Sequence, residues 1–72
     1  MENNELIKLG KKIKTIRNRL NLSQELLAQK CEFDRTYISL LERGKRNPSY
    51  LNLLKLSKGL TVPINELVQE DK

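Results

Sequence analysis

Between Gln24 and Arg43 the chain spaces its apolar residues in a way that allows little besides two short helices joined by a tight turn. Counting Gln24 as position 1, Leu27, Cys31, Phe33, Ile38 and Leu41 fall at positions 4, 8, 10, 15 and 18, with the small Ala28 at position 5. Ser23 is a good cap for the first of these helices, because its hydroxyl can accept a bond from a free backbone N–H. That helix runs to about Cys31, and a three-residue turn, Glu32 to Asp34, follows. Asp34 caps the next helix, which ends near Arg43 with Gly44 at the C-cap position. A small residue at position 28 lets the two helices cross closely. Ile38 and Leu41 then point into a core. Arg35, Thr36 and Ser39 stay outside, with Tyr37 at the flank.

The remaining segments also read as helices. Leu6, Leu9, Ile13, Ile16 and Leu20 form one apolar stripe over residues 6 to 20, and Asn21 ends that helix. After Gly44 comes the basic loop KRNP, whose Pro48 can sit in the first turn of a helix over about Ser49 to Lys58. Gly59 interrupts it, and a last short helix covers about Pro63 to Gln69. No strand-like alternation and no internal repeat appear. The expected fold is all-α, five short helices in a single domain over 1–72, with residues 1–4 and 70–72 frayed.

At 72 residues there is no room for a separate sensing or catalytic module. Fourteen Lys and Arg against nine Asp and Glu give a net charge of +5, which points to a polyanionic partner. No more than three apolar residues run together (Leu26, Leu27, Ala28), so a membrane-spanning helix or signal-peptide core is excluded. There is no histidine and the acids are scattered, so the expectation is no catalytic site, no metal and no cofactor. The lone Cys31 rules out an internal disulfide and suits a reducing cytoplasm. Lys30 could lower its pKa, yet a cysteine ending an apolar stripe is more simply packing.

Two helices at this spacing form the helix-turn-helix pattern, and its geometry suits double-stranded DNA. The N-terminal residues of the second helix lie nearest the base edges in the major groove. Arg35 can make a bidentate contact to guanine O6 and N7, and Thr36 offers a hydroxyl and a methyl. Gln24 can bond a phosphate or an adenine, and Ser23 beside it, at a helix N-terminus, suits a phosphate. Arg43, Lys45, Arg46 and Asn47 follow in a loop that can grip the backbone. Lys8, Lys11, Lys12, Lys14, Arg17 and Arg19 on the first helix read most simply as a solvated face. One end of that helix could instead add to a positive field facing phosphates.

The combination SQELLAQ, DRTYIS, LERG, a basic loop and a leucine-rich closing helix resembles the phage repressor and Cro type of helix-turn-helix protein, the lambda-repressor-like domain, over residues 6 to 69. More narrowly, DRTYIS with ERGKRNP is similar to the controller proteins of bacterial restriction-modification systems. That resemblance implies a homodimer, joined mainly through its C-terminal helices, on palindromic operators. Such a dimer activates, and at higher occupancy represses, its own and the endonuclease promoter. It further implies that Arg35, Thr36, Tyr37 and Ser39 read DNA, and that Gln24, Asn47 and the neighbouring basic residues contact backbone. Glu42 could contact a partner, but the resemblance favours its pairing with Arg17 in a structural salt bridge. The chain departs from the pattern at Glu32, where glycine is common, and at Pro63, where a capping serine is common.

Several residues carry two readings. Tyr37 can be partly core with its ring edge against DNA. Tyr50 is expected to pack. Arg46 can meet a phosphate or enter a minor groove. Glu25 suits a helix N-terminus, or belongs to an acidic patch touching RNA polymerase. Leu60, Val62, Ile64, Leu67 and Val68 either pack inward or form the dimer interface. Beside a controller protein stand a prophage-type repressor of the same fold and an antitoxin-like interaction module.

Overall fold

In the computed structural model, which describes residues 3–69, the described residues form five α-helices and no strand. They are α1 (Asn4–Arg19), α2 (Gln24–Cys31), α3 (Arg35–Glu42), α4 (Tyr50–Gly59) and α5 (Ile64–Val68). The first begins earlier than its apolar stripe because Asn3 caps it, Oδ1 accepting from the backbone N–H of Glu5 at 2.9 Å and of Leu6 at 3.2 Å. Residues 3 and 4 are therefore a capped helix start and not a frayed end. The other residues expected to fray, 1, 2 and 70–72, lie outside the described residues.

Four helices end by one device. The chain reverses through a left-handed residue, and the next N–H bonds back to the carbonyl five residues earlier. Those bonds run from Leu22 to Arg17 (3.0 Å), Phe33 to Ala28 (2.8 Å), Lys45 to Leu40 (2.9 Å) and Val62 to Ser57 (3.0 Å). The left-handed residues are Asn21 (φ 58°), Glu32 (φ 60°), Gly44 (φ 71°) and Thr61 (φ 56°). Glu32 thus takes the conformation glycine would adopt more easily, and the turn between α2 and α3 keeps its shape.

Two punctuation residues act differently from their sequence reading. Pro48 does not enter α4. It is buried ahead of Ser49, whose Oγ caps the helix by accepting from Asn52 N at 3.1 Å. Gly59 does not interrupt α4 but forms its last residue, since the reversal comes at Thr61. Its lack of a side chain serves packing, because a Cβ there would lie 2.4 Å from Cys31 Sγ. A similar close approach occurs at Gly10, where a Cβ would meet the backbone oxygens of Leu41 and Glu42 at 2.4 and 2.6 Å. That contact brings α1 against the end of α3.

The core is Ile13, Ile16, Leu27, Ala28, Cys31, Ile38, Leu41, Leu56, Leu60 and Leu67, with Phe33, Tyr37 and Val62 packed against it. Full burial of each large side chain contributes about 1.5–3 kcal/mol. Leu60 and Leu67, at 0% and 1% exposed, belong to this interior. Both face inward because α5 folds back onto α1 and α4. Of the five residues given a dimer role, Val68 is exposed and Val62 and Ile64 are half-buried. Tyr50, expected to pack, is 64% exposed, and its neighbour Leu51 is 67% exposed.

Candidate nucleic-acid interface

Ile38 and Leu41, 0% and 1% exposed, pin α3 to the core and so fix which residues it presents. Arg35 and Thr36 form its exposed first turn. Among the described residues neither side chain makes a hydrogen bond or ion pair, so both remain available to a ligand. Asp34 holds the N-cap backbone position (φ −73°, ψ 147°) without a side-chain cap bond. Ser39 is half-buried, one turn further along, and its carbonyl accepts from Arg43 Nε at 3.3 Å.

Behind this surface lies a buried ion pair. Arg17 Nε donates to Glu42 Oε2 at 2.6 Å, and Nη2 donates to Oε1 at 3.0 Å. The third arm of the fork, Nη1, donates to the carbonyl of Leu22 at 2.7 Å. Hydrogen bonding to Glu42 raises the Arg17 pKa, against the opposing effect of burial. Gln24 joins the network, Nε2 donating to Glu42 Oε1 at 3.1 Å. The sequence reading offers this amide to DNA alone. In the fold one of its donors ties the first turn of α2 to the end of α3. Ser23 Oγ accepts from Leu26 N at 3.0 Å as the α2 cap, and its side chain stays exposed.

The loop after α3 is anchored through an aromatic pair. Tyr37 meets Phe33 edge to face, centroids 4.8 Å apart at 68°. The Arg46 guanidinium lies over the Tyr37 ring, 5.5 Å from its centroid. Asn52 Nδ2 donates to Tyr37 Oη at 3.0 Å. Arg43, Lys45, Arg46 and Asn47 are all exposed along this loop. Sequence reasoning passed over Asn52, since nothing in the residues around it on α4 marks a lone amide as different from the other polar positions of that helix.

Four other cations of α1 lie elsewhere, while the exposed Lys14, four residues from Gly10 and three from Arg17, shares the side of the helix turned to α3. Gly10 and Arg17 turn toward α3, and Lys8, Lys12 and Arg19 stand two residues from one or the other, about 200° around the helix. Lys8, Lys11, Lys12 and Arg19 line a hollow of about 450 Å³ between α1 and α5, where Lys12 Nζ donates to the Gln69 carbonyl. They form a solvated flank away from Arg35. Burial pushes the Cys31 thiol up to about 11, outweighing Lys30 and Lys55, so the protonated form persists at neutral pH. Among the described residues no three His, Cys, Asp or Glu side chains cluster as a metal site, and no helix is long and apolar enough to cross a membrane.

A family model described as Helix-turn-helix, HTH_3, matches residues 13–67, which span all of α2 to α4. The control protein C.MunI of Mycoplasma sp is 45% identical over 65 residues, covering 89% of this chain and 88% of the relative. Control protein C.BamHI of Bacillus amyloliquefaciens is 46% identical over 69 residues, covering 94% and 85%. Among solved structures, the restriction-modification controller protein C.AhdI of Aeromonas hydrophila superposes with a TM-score of 0.89 at 40% identity, over 90% of this chain and 98% of that one. The chain is a member of the helix-turn-helix family HTH_3, alongside the restriction-modification control proteins.

Proposed function

We propose that this chain is a sequence-specific, DNA-binding transcription regulator of the restriction-modification controller type, acting as a dimer on a palindromic operator. The observation that carries the reading is the pairing of two exposed, unpartnered side chains, Arg35 and Thr36, with a rigid mount. Ile38 and Leu41 seat their helix in the core, and the Arg17–Glu42 pair locks its far end. The loop bearing Arg43, Lys45, Arg46 and Asn47 supplies the backbone grip beside it, with Ser23 and Gln24 at the start of α2. Phosphate contacts then set register, and Arg35 with Thr36, Tyr37 and Ser39 reads bases.

A monomer offers one eight-residue recognition helix, too small a contact for an operator by itself. Dimer formation is supported by the exposed apolar side chains Leu51 and Val68, with the half-buried Val62 and Ile64. Two recognition helices in successive major grooves place half-sites about 10 bp apart. Glu25, exposed next to Leu26 at 48% exposure, is the surface we assign to RNA polymerase when the dimer activates. Work on DNA of this kind puts the chain in the bacterial cytoplasm.

The test is selection of bound duplexes from a random pool near physiological salt, with Arg35→Ala in parallel. A palindrome with half-sites about one helical turn apart, lost in the variant, is the expected result. Binding without enrichment, falling only with rising salt, would remove the sequence-specific reading.

A further inference from the structure

We infer that Asn52, on α4 and outside the helix-turn-helix, is a positioning residue for DNA reading, aiming the only proton of the Tyr37 phenol at an acceptor on the operator. The inference rests on the DNA-binding function proposed above. It starts from one contact, Asn52 Nδ2 donating to Tyr37 Oη at 3.0 Å. A phenol has a single O–H proton, and its oxygen also accepts. Because the amide N–H supplies the proton in this contact, the phenol proton is left for a second partner. Among the described residues Oη has no other hydrogen bond, so that partner is not supplied by the fold.

The ring around that oxygen is held from two sides. Phe33 meets it edge-on at 4.8 Å and the Arg46 guanidinium covers it at 5.5 Å. Thr36, Tyr37, Arg46 and Asn52 line one hollow of about 370 Å³, so the phenol stands between a base-reading residue and the backbone loop. A DNA oxygen or purine N7 placed there meets a donor whose direction is already set, and little further ordering cost falls on binding. In a nonspecific complex no acceptor is held at that place, so the bond belongs to the operator complex. Asn52 thereby sharpens specificity without touching the DNA.

Reversing the polarity of the contact tests this. In Asn52→Asp the carboxylate accepts the phenol proton and withdraws it from DNA. The affinities of wild type, Asn52→Asp, Tyr37→Phe and the double variant are measured for the selected operator and for a random duplex of equal length, at one salt concentration. The added negative charge weakens both duplexes and largely cancels in their ratio. Asn52→Asp and Tyr37→Phe are each expected to lower the operator-to-random ratio about tenfold, the size of one hydrogen bond to an operator acceptor, and the double variant no further than Tyr37→Phe. Asn52→Leu, which removes the donor but leaves the phenol proton unclaimed, should lower the ratio only about two- to threefold, and it serves if the Asp variant does not fold.

A spectroscopic arm separates positioning from mere packing. With Tyr50→Phe as background Tyr37 is the only tyrosine, and the chain has no tryptophan, so ultraviolet emission reports on this phenol alone. Without DNA, Asn52→Asp should quench that emission and Asn52→Leu should not. Losses that multiply to about a hundredfold in the double variant, or a ratio unchanged by Asn52→Asp, would overturn the inference while leaving the DNA-binding function intact. A wild type that does not discriminate operator from random duplex would overturn both.

Discussion

Arg17 of α1 and Glu42 of α3 meet in a two-pronged ion pair, with 2.6 Å from Nε to Oε2 and only 8% and 9% of the two residues exposed. The pair sits where three helices converge, since Gln24 of α2 bonds the same carboxylate and Arg17 also holds the Leu22 carbonyl. Every buried side-chain polar atom among the described residues is satisfied. Removing one partner therefore strands a buried charge, and Arg17→Ala or Glu42→Ala should cost about 3–5 kcal/mol in urea unfolding. Arg17→Lys should recover only part, because an ammonium cannot supply the planar fork. The double change Arg17→Met with Glu42→Leu should recover more than either single alanine variant. Stability of all four variants equal to that of the wild type would show that the pair is idle.

Gly59 and Cys31 form a second test of packing. A methyl at Gly59 would lie 2.4 Å from Cys31 Sγ, so Gly59→Ala should destabilise by about 1–3 kcal/mol. Cys31→Ala removes the obstructing sulfur. In a double-mutant cycle the pair should cost less than the sum of its parts, with a coupling of at least about 0.5 kcal/mol. Strict additivity would contradict the close approach.

The left-handed residues give a prediction of opposite sign. Glu32 and Thr61 hold φ of 60° and 56°, a region that side chains other than Gly and Asn enter at a cost of about 1–2 kcal/mol. Glu32→Asn and Thr61→Asn should each raise stability by up to about 1 kcal/mol, more at the β-branched Thr61. Thermal unfolding at neutral pH checks this.

Cys31 adds a pH dependence. Burial raises its folded-state pKa from 9.0 to about 11. In the unfolded chain the thiol ionises first, so this group's contribution is complete below about pH 9 and is lost as pH rises toward 11. Unfolding free energies of wild type and Cys31→Ala should accordingly converge across that window. A constant gap between them would refute the shift.

On DNA, Arg35 and Lys45 should separate reading from gripping. Arg35→Ala should lose about 1–3 kcal/mol on the operator and little on random duplex. Lys45→Ala should weaken both and lower the salt slope by about one. Titrations at several salt concentrations measure the two effects, and equal losses by Arg35→Ala on both duplexes would remove its base-reading role.

Much of this fold was legible locally. Ser23 and Ser49 mark the starts of α2 and α4, Gly44 marks the end of α3, and Ile38 with Leu41 declares which face of α3 is buried. Each of these signals acts within one or two helical turns. The start of α1 was missed because Asn3 lies before the apolar stripe, and Pro48, read as part of the first turn of α4, stands just ahead of it because Ser49 takes the cap. Exposure of Arg35 and Thr36 follows from their neighbours, so the main contact residues of the proposed site were visible without coordinates.

What the amino-acid order determined by itself is the set of five helices, the Ser23 cap of α2 and the inward face of α3, since periodicity and capping are nearest-turn effects. What only the tertiary structure decided is which long-range partner each polar side chain meets. Gln24 finds Glu42 eighteen residues away, and Asn52 finds Tyr37 fifteen residues away. Leu60 and Leu67 were ambiguous between core and interface until α5 folded back on α1 and α4. An apolar residue near a chain end carries the same hydrophobic free energy in either place, and only the packing of the other helices settles which surface covers it.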